Sequence, residues 1–260
     1  MIKIALGIEY DGSNYCGWQT QNHTATIQLA LELALSKIAN HPIKVVCAGR
    51  TDAGVHSVGQ IIHFITNSKR NIKSWILGAN YYLPKNISVF GGCFVVNTFH
   101  ARYSVITRSY QYIINNSIFR SALKNNRSYH FYHHRLDINK MNQAAVFLIG
   151  KHDFSAFRAK YCQSNNPIKI IKSISIIRKR NLVVLSIESN SFLYRMVRNI
   201  TGSLIEIGSN KKSIEWIKSV LEKKNRTIAG PTVPASGLYL SYVRYPKIFN
   251  ITIKNNILFI

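Results

Sequence analysis

Acidic side chains are scarce in this sequence. It has 10 Asp and Glu residues against 34 Lys and Arg, which gives a formal net charge of +24 over 260 residues. Heavy use of Ile, Lys and Asn suggests an AT-rich genome, but this bias does not account for so few acids. The positive potential favours a polyanionic partner, nucleic acid above all, with an anionic membrane surface as the alternative.

The chain also lacks long apolar runs and paired cysteines. No run reaches the roughly 18 residues that a membrane span needs. The N-terminus has no charged leader, so we expect no signal peptide and a cytoplasmic protein. The four cysteines, Cys16, Cys47, Cys93 and Cys162, are far apart. Without a C-x-x-C pair, a zinc ribbon and a thioredoxin-type motif are excluded, and reduced thiols are expected.

Motifs for cofactors and metals are absent as well. The glycines form neither G-x-G-x-x-G nor a P-loop, and no H-E-x-x-H helix is present. The chain has too few acids to supply readily the two facing carboxylates of a glycosidase. The aromatic signature of an RRM domain is missing too. Nucleotide cofactors and ATP are therefore unsupported by the residues.

Hydrophobic periodicity predicts a repeated order of elements, β-α-β-β-α-β, once in residues 1–104 and again, with one added helix, in residues 105–260. This order is typical of the ferredoxin-like split βαβ unit. We predict an α+β fold in which two tandem ferredoxin-like halves share a central antiparallel sheet. Helices would cover one face of that sheet, and a basic cleft would lie on the other.

The same periodicity predicts the bounds of the elements. The first half should contain strands at 2–10, 43–47, 60–66 and 87–96, with helices at 26–38 and 72–83. The second half should contain strands at 105–115, 168–178, 182–189 and 237–245, with helices at 139–149, 192–207 and 213–224. A tight turn at Lys179-Arg180-Asn181 should join the strands at 168–178 and 182–189 as a hairpin. Glu32, on the first helix, is expected to face solvent.

One acid, Asp52, differs from the rest. It lies in a loop flanked by glycines, two residues after Arg50 and four before His56. A neighbouring guanidinium favours the ionised carboxylate, which could act as a nucleophile, a metal ligand or an electrostatic anchor. An Arg50–Asp52 pair that merely stabilises a turn explains the same spacing. The residues alone leave this choice open.

Aromatic residues are interleaved with basic ones in the middle of the chain, including Tyr103, Tyr110 and Tyr112. Unpaired RNA bases stack on such rings, although packing within a sheet is the more common reason for two tyrosines on one strand face, as at Tyr110 and Tyr112. Arg195 and Arg198, three residues apart, could meet a phosphate or a carboxylate.

Six segments of the sequence, in their order along the chain, resemble segments of the bacterial tRNA pseudouridine synthase A family. They span almost the whole chain and read IEYDGSNYCGWQTQ (8–21), CAGRTDAGVHSVGQIIHF (47–64), RSYQY (108–112), HDFSAFR (152–158), FLYRMVRNITGSL (192–204) and ASGLYL (235–240). The resemblance implies a cofactor-free and metal-free isomerase. Such an enzyme would convert uridine to pseudouridine at positions 38, 39 and 40 of the tRNA anticodon stem-loop. It also implies the two ferredoxin-like halves and a homodimer across which the tRNA lies.

The same resemblance assigns roles to four residues. The catalytic aspartate falls on Asp52, and the tyrosine expected to pack on the uracil and accept the C5 proton falls on Tyr110. Arg50 is expected to help open the stem or fill the place of the flipped base. Arg198 is expected to pair with Asp52. Whether Asp52 attacks C1′ of the sugar or C6 of the base stays open.

Two other functions remain as alternatives. A basic tRNA-binding or chaperone protein that has lost catalysis would explain the charge and the tyrosines. A structural RNA protein of the ribosome would explain the charge, but it gives the carboxylate of Asp52 no purpose.

Overall fold

The computed structural model describes residues 1–253. Among them, residues 1–108 and 239–253 form one compact unit, unit 1, and Ser109–Leu238 form a second, unit 2. The division into domains 1–104 and 105–260 stays a prediction, since compact units and independently folding domains are different properties. No helix within the described part of the chain has the length and hydropathy required to cross a membrane.

Strands and α-helices are mixed along the described residues, and each unit combines helices with a largely antiparallel sheet. The strands are β1 (Ile2–Tyr10), β2 (Val46–Cys47), β3 (His56–Thr66), β4 (Ile87–Val95), β5 (Thr107–Asn115), β6 (Tyr129–His130), β7 (Gly150–Asp153), β8 (Ile168–Lys179), β9 (Leu182–Ser189) and β10 (Leu238–Arg244). The α-helices are α1 (Ile27–Ala39), α2 (Ile72–Tyr82), α3 (Ile138–Val146), α4 (Met196–Gly208) and α5 (Trp216–Lys223).

The sheet of unit 1 has the order β4-β1-β3-β10, and β2 also pairs with β3. Strand β1 is antiparallel to both β3 and β4, whereas β10 pairs with β3 in parallel, with Tyr239 opposite His56. Gly7 lies opposite Gly91 but Ile8 lies opposite Val89, so β4 bulges between the two pairs.

Helix α1 packs on the core of unit 1 as its periodicity predicts. The residues Ile27, Leu31, Leu35 and Ile38 are all buried. The helix ends at Asn40, whose left-handed backbone (φ 59°) is typical of a C-terminal cap.

Glu32 contradicts the expectation of a solvent-exposed side chain. It is only 5% exposed, and its carboxylate accepts hydrogen bonds from the Val45 N–H at 3.1 Å and the Gln28 amide at 2.9 Å. The Lys44 ammonium also lies 2.9 Å from it. Glu32 therefore ties α1 to the segment that enters β2. The expectation was wrong because helical spacing alone does not reveal these partners.

The sheet of unit 2 has the order β5-β9-β8-β7, and β6 pairs with β5 in parallel. Strands β8 and β9 form the predicted antiparallel hairpin, and Arg180 in its turn adopts a left-handed backbone (φ 54°). The short strands β6 and β7 were not predicted from the sequence. Strand β7 has four residues, too few for a clear alternating pattern.

Helix α4 begins later than predicted. The expected start was Phe192, but Arg195 has a left-handed backbone (φ 57°) and the helix starts at Met196. Met196 and Ile200, one turn apart on α4, are fully buried. A separate turn leads into α4, in which the Met196 N–H donates to the Leu193 carbonyl at 3.1 Å.

Candidate active site

The segment that carries Asp52 links β2 to β3 in unit 1. Its first residues are tied to β3: the Ala48 N–H donates to the Ile61 carbonyl at 2.8 Å. The buried amide of Gln60 donates to the Gly49 carbonyl at 2.6 Å and accepts from the Gly49 N–H at 3.2 Å. These bonds satisfy backbone groups that a loop would otherwise leave to water, and they fix the segment just before Arg50.

Asp52 opens a tight turn. The Val55 N–H donates to the Asp52 carbonyl at 3.1 Å, and Gly54, the third residue of the turn, has φ +76°. This positive φ is typical of a type II turn, where glycine is favoured. The turn therefore holds the backbone of Asp52 in a defined position at the start of β3.

The residue before Asp52 anchors the loop in the core. Thr51 is 7% exposed, and its hydroxyl shares a buried hydrogen bond of 2.8 Å with the phenol of Tyr10. Its carbonyl accepts from the Trp18 N–H at 3.0 Å. Arg50 is exposed and Asp52 is half-buried. A buried threonine between them holds both charged residues close to solvent.

Three arginines lie near the start of the loop within unit 1. Burial raises the pKa of the Cys47 thiol to about 12, and the guanidinium groups of Arg50, Arg102 and Arg108 oppose that rise. Arg108 also donates to the Ala48 carbonyl from Nε at 2.9 Å and from Nη2 at 2.6 Å. Three arginines thus act on the segment that precedes Asp52, and such a field favours anionic groups.

Tyr110 lies on β5 in unit 2 and is 9% exposed. Its ring meets the Phe192 ring edge-on, with centroids 5.1 Å apart and planes at 87°. Tyr112, two residues on, is fully buried, and its hydroxyl donates to the Pro234 carbonyl at 2.7 Å. Burial raises the pKa of Tyr112 well above its usual value. Within this pair, the structure gives Tyr112 a packing role.

Arg198 lies in the first turn of α4, half-buried, and its Nε donates to the Val233 carbonyl at 2.7 Å. The next residue along the chain from Val233 is Pro234, whose carbonyl accepts from Tyr112. One extended segment of unit 2 therefore receives hydrogen bonds from both Arg198 and Tyr112.

A polar network holds that extended segment against α4. The Thr232 hydroxyl donates to Asn199 Oδ1 at 2.5 Å and accepts from Arg226 Nη2 at 3.0 Å. Asn199, which is fully buried, donates from Nδ2 to the Phe157 carbonyl at 2.8 Å. The segment also approaches α4 closely, because a Cβ on Gly202 would lie 1.8 Å from the Pro231 carbonyl oxygen.

The four residues named from the sequence thus fall in two groups. Arg50 and Asp52 lie two positions apart in one loop of unit 1. Tyr110 and Arg198 lie in unit 2, on β5 and α4. The roles assigned to all four, including the pairing of Arg198 with Asp52, stay predictions.

Sequence reasoning gave no role to the residues that support these groups. Tyr10 and Trp18 belong to the segment IEYDGSNYCGWQTQ, whose only signal in the sequence is its resemblance to a family. Thr232 and Arg226 carried no signal at all, since nothing local marks a residue whose partner lies far along the chain. Among residues 1–253, no three His, Cys, Asp or Glu side chains group in a way that could hold a metal ion.

Comparison with known proteins identifies the family. A family model described as tRNA pseudouridine synthase matches residues 7–104 and 144–246. A protein named tRNA pseudouridine synthase A from Buchnera aphidicola subsp. Schizaphis graminum is 56% identical over 251 residues, covering 96% of this chain and 95% of its own.

More distant bacteria carry similar proteins of the same name. The one from Blochmanniella pennsylvanica is 52% identical, covering 96% of each chain, and the one from Vibrio cholerae O395 is 48% identical, covering 96% of this chain and 94% of its own. A solved structure titled Crystal Structure of a Cbf5-Nop10-Gar1 Complex covers 87% of this chain and 69% of that chain at 9% identity. Its TM-score of 0.36 is too low to support a shared fold. The chain belongs to the tRNA pseudouridine synthase family, whose members are isomerases that convert uridine to pseudouridine.

Proposed function

We propose that this chain isomerises uridine to pseudouridine at positions 38, 39 and 40 in the anticodon stem-loop of tRNA, with Asp52 as the nucleophile. One observation carries the assignment of Asp52. It is the half-buried carboxylate of a hydrogen-bonded turn whose preceding segment lies in the field of three arginines. A positioned, ionised carboxylate is what covalent catalysis requires.

The reaction breaks the bond between C1′ and N1, turns the uracil and joins C1′ to C5. A proton leaves C5 and N1 gains one, so atoms and charge balance without an oxidant or reductant. Asp52 attacks either C1′, displacing the uracil, or C6 of the ring. The uracil must first leave its stack, which takes a few kcal/mol, and phosphate contacts to Lys and Arg can offset that.

Three further residues take part in the proposal. Tyr110 stacks on the extruded uracil and accepts the C5 proton; the support is its position on β5 with its ring held edge-on by Phe192. Arg50 fills the space left by the flipped base or helps to open the stem, and its exposure two residues before Asp52 supports this. Arg198 pairs with Asp52 and keeps it ionised; its orientation by the Val233 carbonyl supports a fixed role.

The wider setting belongs to the same proposal. The protein works in the cytoplasm as a homodimer with tRNA lying across both subunits, and it needs no cofactor or metal. Its fold is a pair of tandem ferredoxin-like halves with a shared central sheet and a basic cleft. The β-α-β-β-α-β order of the first elements in unit 1 supports the first half of this arrangement.

The direct test is tritium release from a tRNA transcript labelled at C5 of its uridines. Purified protein should release tritium without additives, and transcripts with a single uridine at 38, 39 or 40 should show which positions are used. Asp52→Asn should abolish release while tRNA affinity stays near that of the unchanged protein.

Asp137→Asn is the matched control. Asp137 caps α3 by accepting from the Lys140 N–H at 3.0 Å, and asparagine caps equally well. Asp137→Asn removes one negative charge, as Asp52→Asn does, and should leave tritium release intact. Tritium release by Asp52→Asn would refute the nucleophile. Binding without release by the unchanged protein would favour the alternative, a tRNA-binding protein without catalysis.

A further inference from the structure

An exposed tyrosine lies on a firmly anchored turn of unit 1. The segment between β4 and β5 is held by Phe99 and Ala101, both fully buried. The Ala101 N–H donates to His63 Nδ1 at 3.1 Å, and the Tyr245 hydroxyl donates to the Ala101 carbonyl at 2.6 Å. Tyr103, two residues later, is nevertheless 76% exposed. The turn therefore presents an aromatic side chain to solvent from a rigid base.

The ring of Tyr103 contacts the ring of a neighbouring residue. It stacks on the ring of His100 with centroids 4.3 Å apart and planes at 22°. Nδ1 of His100 accepts from the N–H groups of Arg102 at 3.2 Å and Tyr103 at 3.1 Å, which fixes the imidazole. Since His100 covers one face, the exposed area of Tyr103 lies mainly on the rest of the ring. The Arg102 guanidinium is 5.7 Å from its centroid.

A single guanidinium joins this turn to the segment that leads to Asp52. Arg108 Nη2 donates to the Ala48 carbonyl at 2.6 Å and to the Arg102 carbonyl at 3.1 Å. Ala48 lies four positions before Asp52, in the same loop. RNA bound at that loop would therefore pass close to the Arg102–Tyr103 turn.

We propose that Tyr103, backed by His100 and flanked by Arg102, is a stacking site for an unpaired base of the RNA substrate. The assignment of that RNA as tRNA rests on the proposed function. Every base has a π-face, so a stacked aromatic binds unpaired nucleotides with little sequence preference, and a nearby arginine adds a cationic contribution. The site would hold a base near the target uridine and so favour the opened form of the arm.

The first test compares substitutions at Tyr103 by the affinity of the full chain for a tRNA transcript. Tyr103→Ala should weaken binding about fivefold to a hundredfold, the range for loss of one stacked base. Tyr103→Phe keeps the ring and should bind within about twofold of the unchanged protein by the same reasoning. Because Tyr103 is largely exposed, both variants should melt as the unchanged protein does.

Tyr81 supplies the matched control. It is 81% exposed at the end of α2, and its ring also contacts a neighbouring ring, that of Tyr82, at 5.0 Å. Tyr81→Ala should leave tRNA affinity unchanged, so general loss of surface aromatics would not explain the effect at Tyr103. Equal weakening by both alanine variants would overturn the proposal.

A second test identifies the base. Transcripts with one abasic nucleotide at each position of the anticodon loop are titrated against the unchanged protein and against Tyr103→Ala. At the stacked position, the abasic transcript and Tyr103→Ala should each weaken binding, and together they should weaken it no further. Independent effects at every position would contradict stacking by Tyr103.

Salt dependence separates stacking from phosphate binding. Tyr103→Ala should lower the affinity for tRNA by the same factor at each salt concentration. If the guanidinium of Arg102 contacts the RNA backbone, Arg102→Ala should reduce the slope of log affinity against log salt concentration by about one phosphate contact. A reduced salt slope for Tyr103→Ala would overturn the proposal, because it would indicate a lost ionic contact.

All of these titrations are repeated with Asp52→Asn as the parent protein. The stacking effect is measured by affinity and does not depend on turnover. Absence of pseudouridine with the unchanged protein would therefore count against the proposed function alone. Unaltered affinity of Tyr103→Ala would count against the stacking site alone.

Discussion

The Cα of Gly17, which carries no side chain, packs against the backbone of Asp52. A Cβ placed on Gly17 would lie 2.8 Å from the Thr51 carbonyl oxygen and 3.2 Å from the carbonyl carbon of Asp52. Gly17 also has φ +88°, in the region that favours glycine. The contact brings a segment from the start of unit 1 directly against the turn that carries the proposed nucleophile.

Gly17→Ala should therefore destabilise the protein and disturb the turn at Asp52. We expect a loss of about 2–4 kcal/mol in the free energy of unfolding, from left-handed strain and overpacking together. Turnover should fall as well, because the methyl group pushes against the backbone at residues 51–53. Urea unfolding and tritium release measure the two effects.

Gly150→Ala separates strain from crowding. Gly150 has φ +107°, but a Cβ there would meet only the His152 ring, at 3.4 Å. The Gly150→Ala variant should lose about 1–2 kcal/mol of the free energy of unfolding through backbone strain, and it should keep its turnover. If Gly17→Ala lost no more stability than Gly150→Ala and turned over normally, close packing at Asp52 would be unimportant.

Stability should decline in mild acid because of His63. This side chain is 5% exposed, and its Nδ1 accepts from the Ala101 N–H, which requires an unprotonated nitrogen. Burial, with smaller contributions from His100 and Lys3, lowers the pKa of His63 from 6.5 to about 4. Between about pH 4 and 6.5, the unfolded chain therefore binds more protons than the folded one. The free energy of unfolding rises with pH over this range and is lost as pH falls from about 6.5 to 4.

His63→Asn tests this cause. Asparagine offers an acceptor close to the position of Nδ1 but does not titrate. Between pH 6.5 and 4, the free energy of unfolding of the variant should therefore fall by up to about 3 kcal/mol less than that of the unchanged protein. Urea unfolding at pH 6.5, 5 and 4 measures the slope. His23→Asn, at an exposed residue with φ 60°, should keep the slope of the unchanged protein. An unchanged slope in His63→Asn would locate the acid sensitivity elsewhere.

Thr232→Val should lower turnover through Arg198. Valine removes the hydroxyl that bonds Asn199 and Arg226, which loosens the segment whose Val233 carbonyl orients Arg198. We expect kcat to fall roughly tenfold with little change in KM, since a small displacement of a positioned group is sufficient for such a loss. Steady-state kinetics on a tRNA transcript gives both constants.

A conservative variant and a pH profile test whether this network does more than stabilise the fold. Thr232→Ser keeps the hydroxyl and should restore kcat. In Thr232→Val the acid limb of the pH–rate profile should move to higher pH, if Arg198 keeps Asp52 ionised as proposed. A variant that lost about 1 kcal/mol of stability but kept its kcat and profile would make the network purely structural.

Local patterns predicted the elements well where one face is apolar. Helix α1 and strands β1 and β9 have the expected bounds to within a residue or two, and the predicted β8–β9 hairpin is confirmed. Such elements are readable because burial of a face imposes its own period on the chain. The loop of Asp52 was also conspicuous, as a lone acid between glycines in a basic chain.

Errors occurred where distant partners decide the conformation. Helix α4 starts at Met196 rather than Phe192, since the Tyr194 carbonyl accepts from the distant Ala159 N–H at 3.1 Å and Arg195 has a left-handed backbone. Glu32 is buried because Lys44, Val45 and Gln28 satisfy its carboxylate, two of them from a separate segment. Strand β7 exists through pairing with β8, from Gly150 opposite Ile171 to Asp153 opposite Ile168. No local period records such partners.

The sequence by itself determined the family, the basic character and the residue positions that the chemistry is expected to use, because these depend on residue type and order. The tertiary structure decided how those positions are held. Tyr10 and Gly17 support the Asp52 turn, and Thr232 and Arg226 hold the segment that orients Arg198. These supports are hydrogen bonds and close contacts between residues distant along the chain, so only folding brings the partners together.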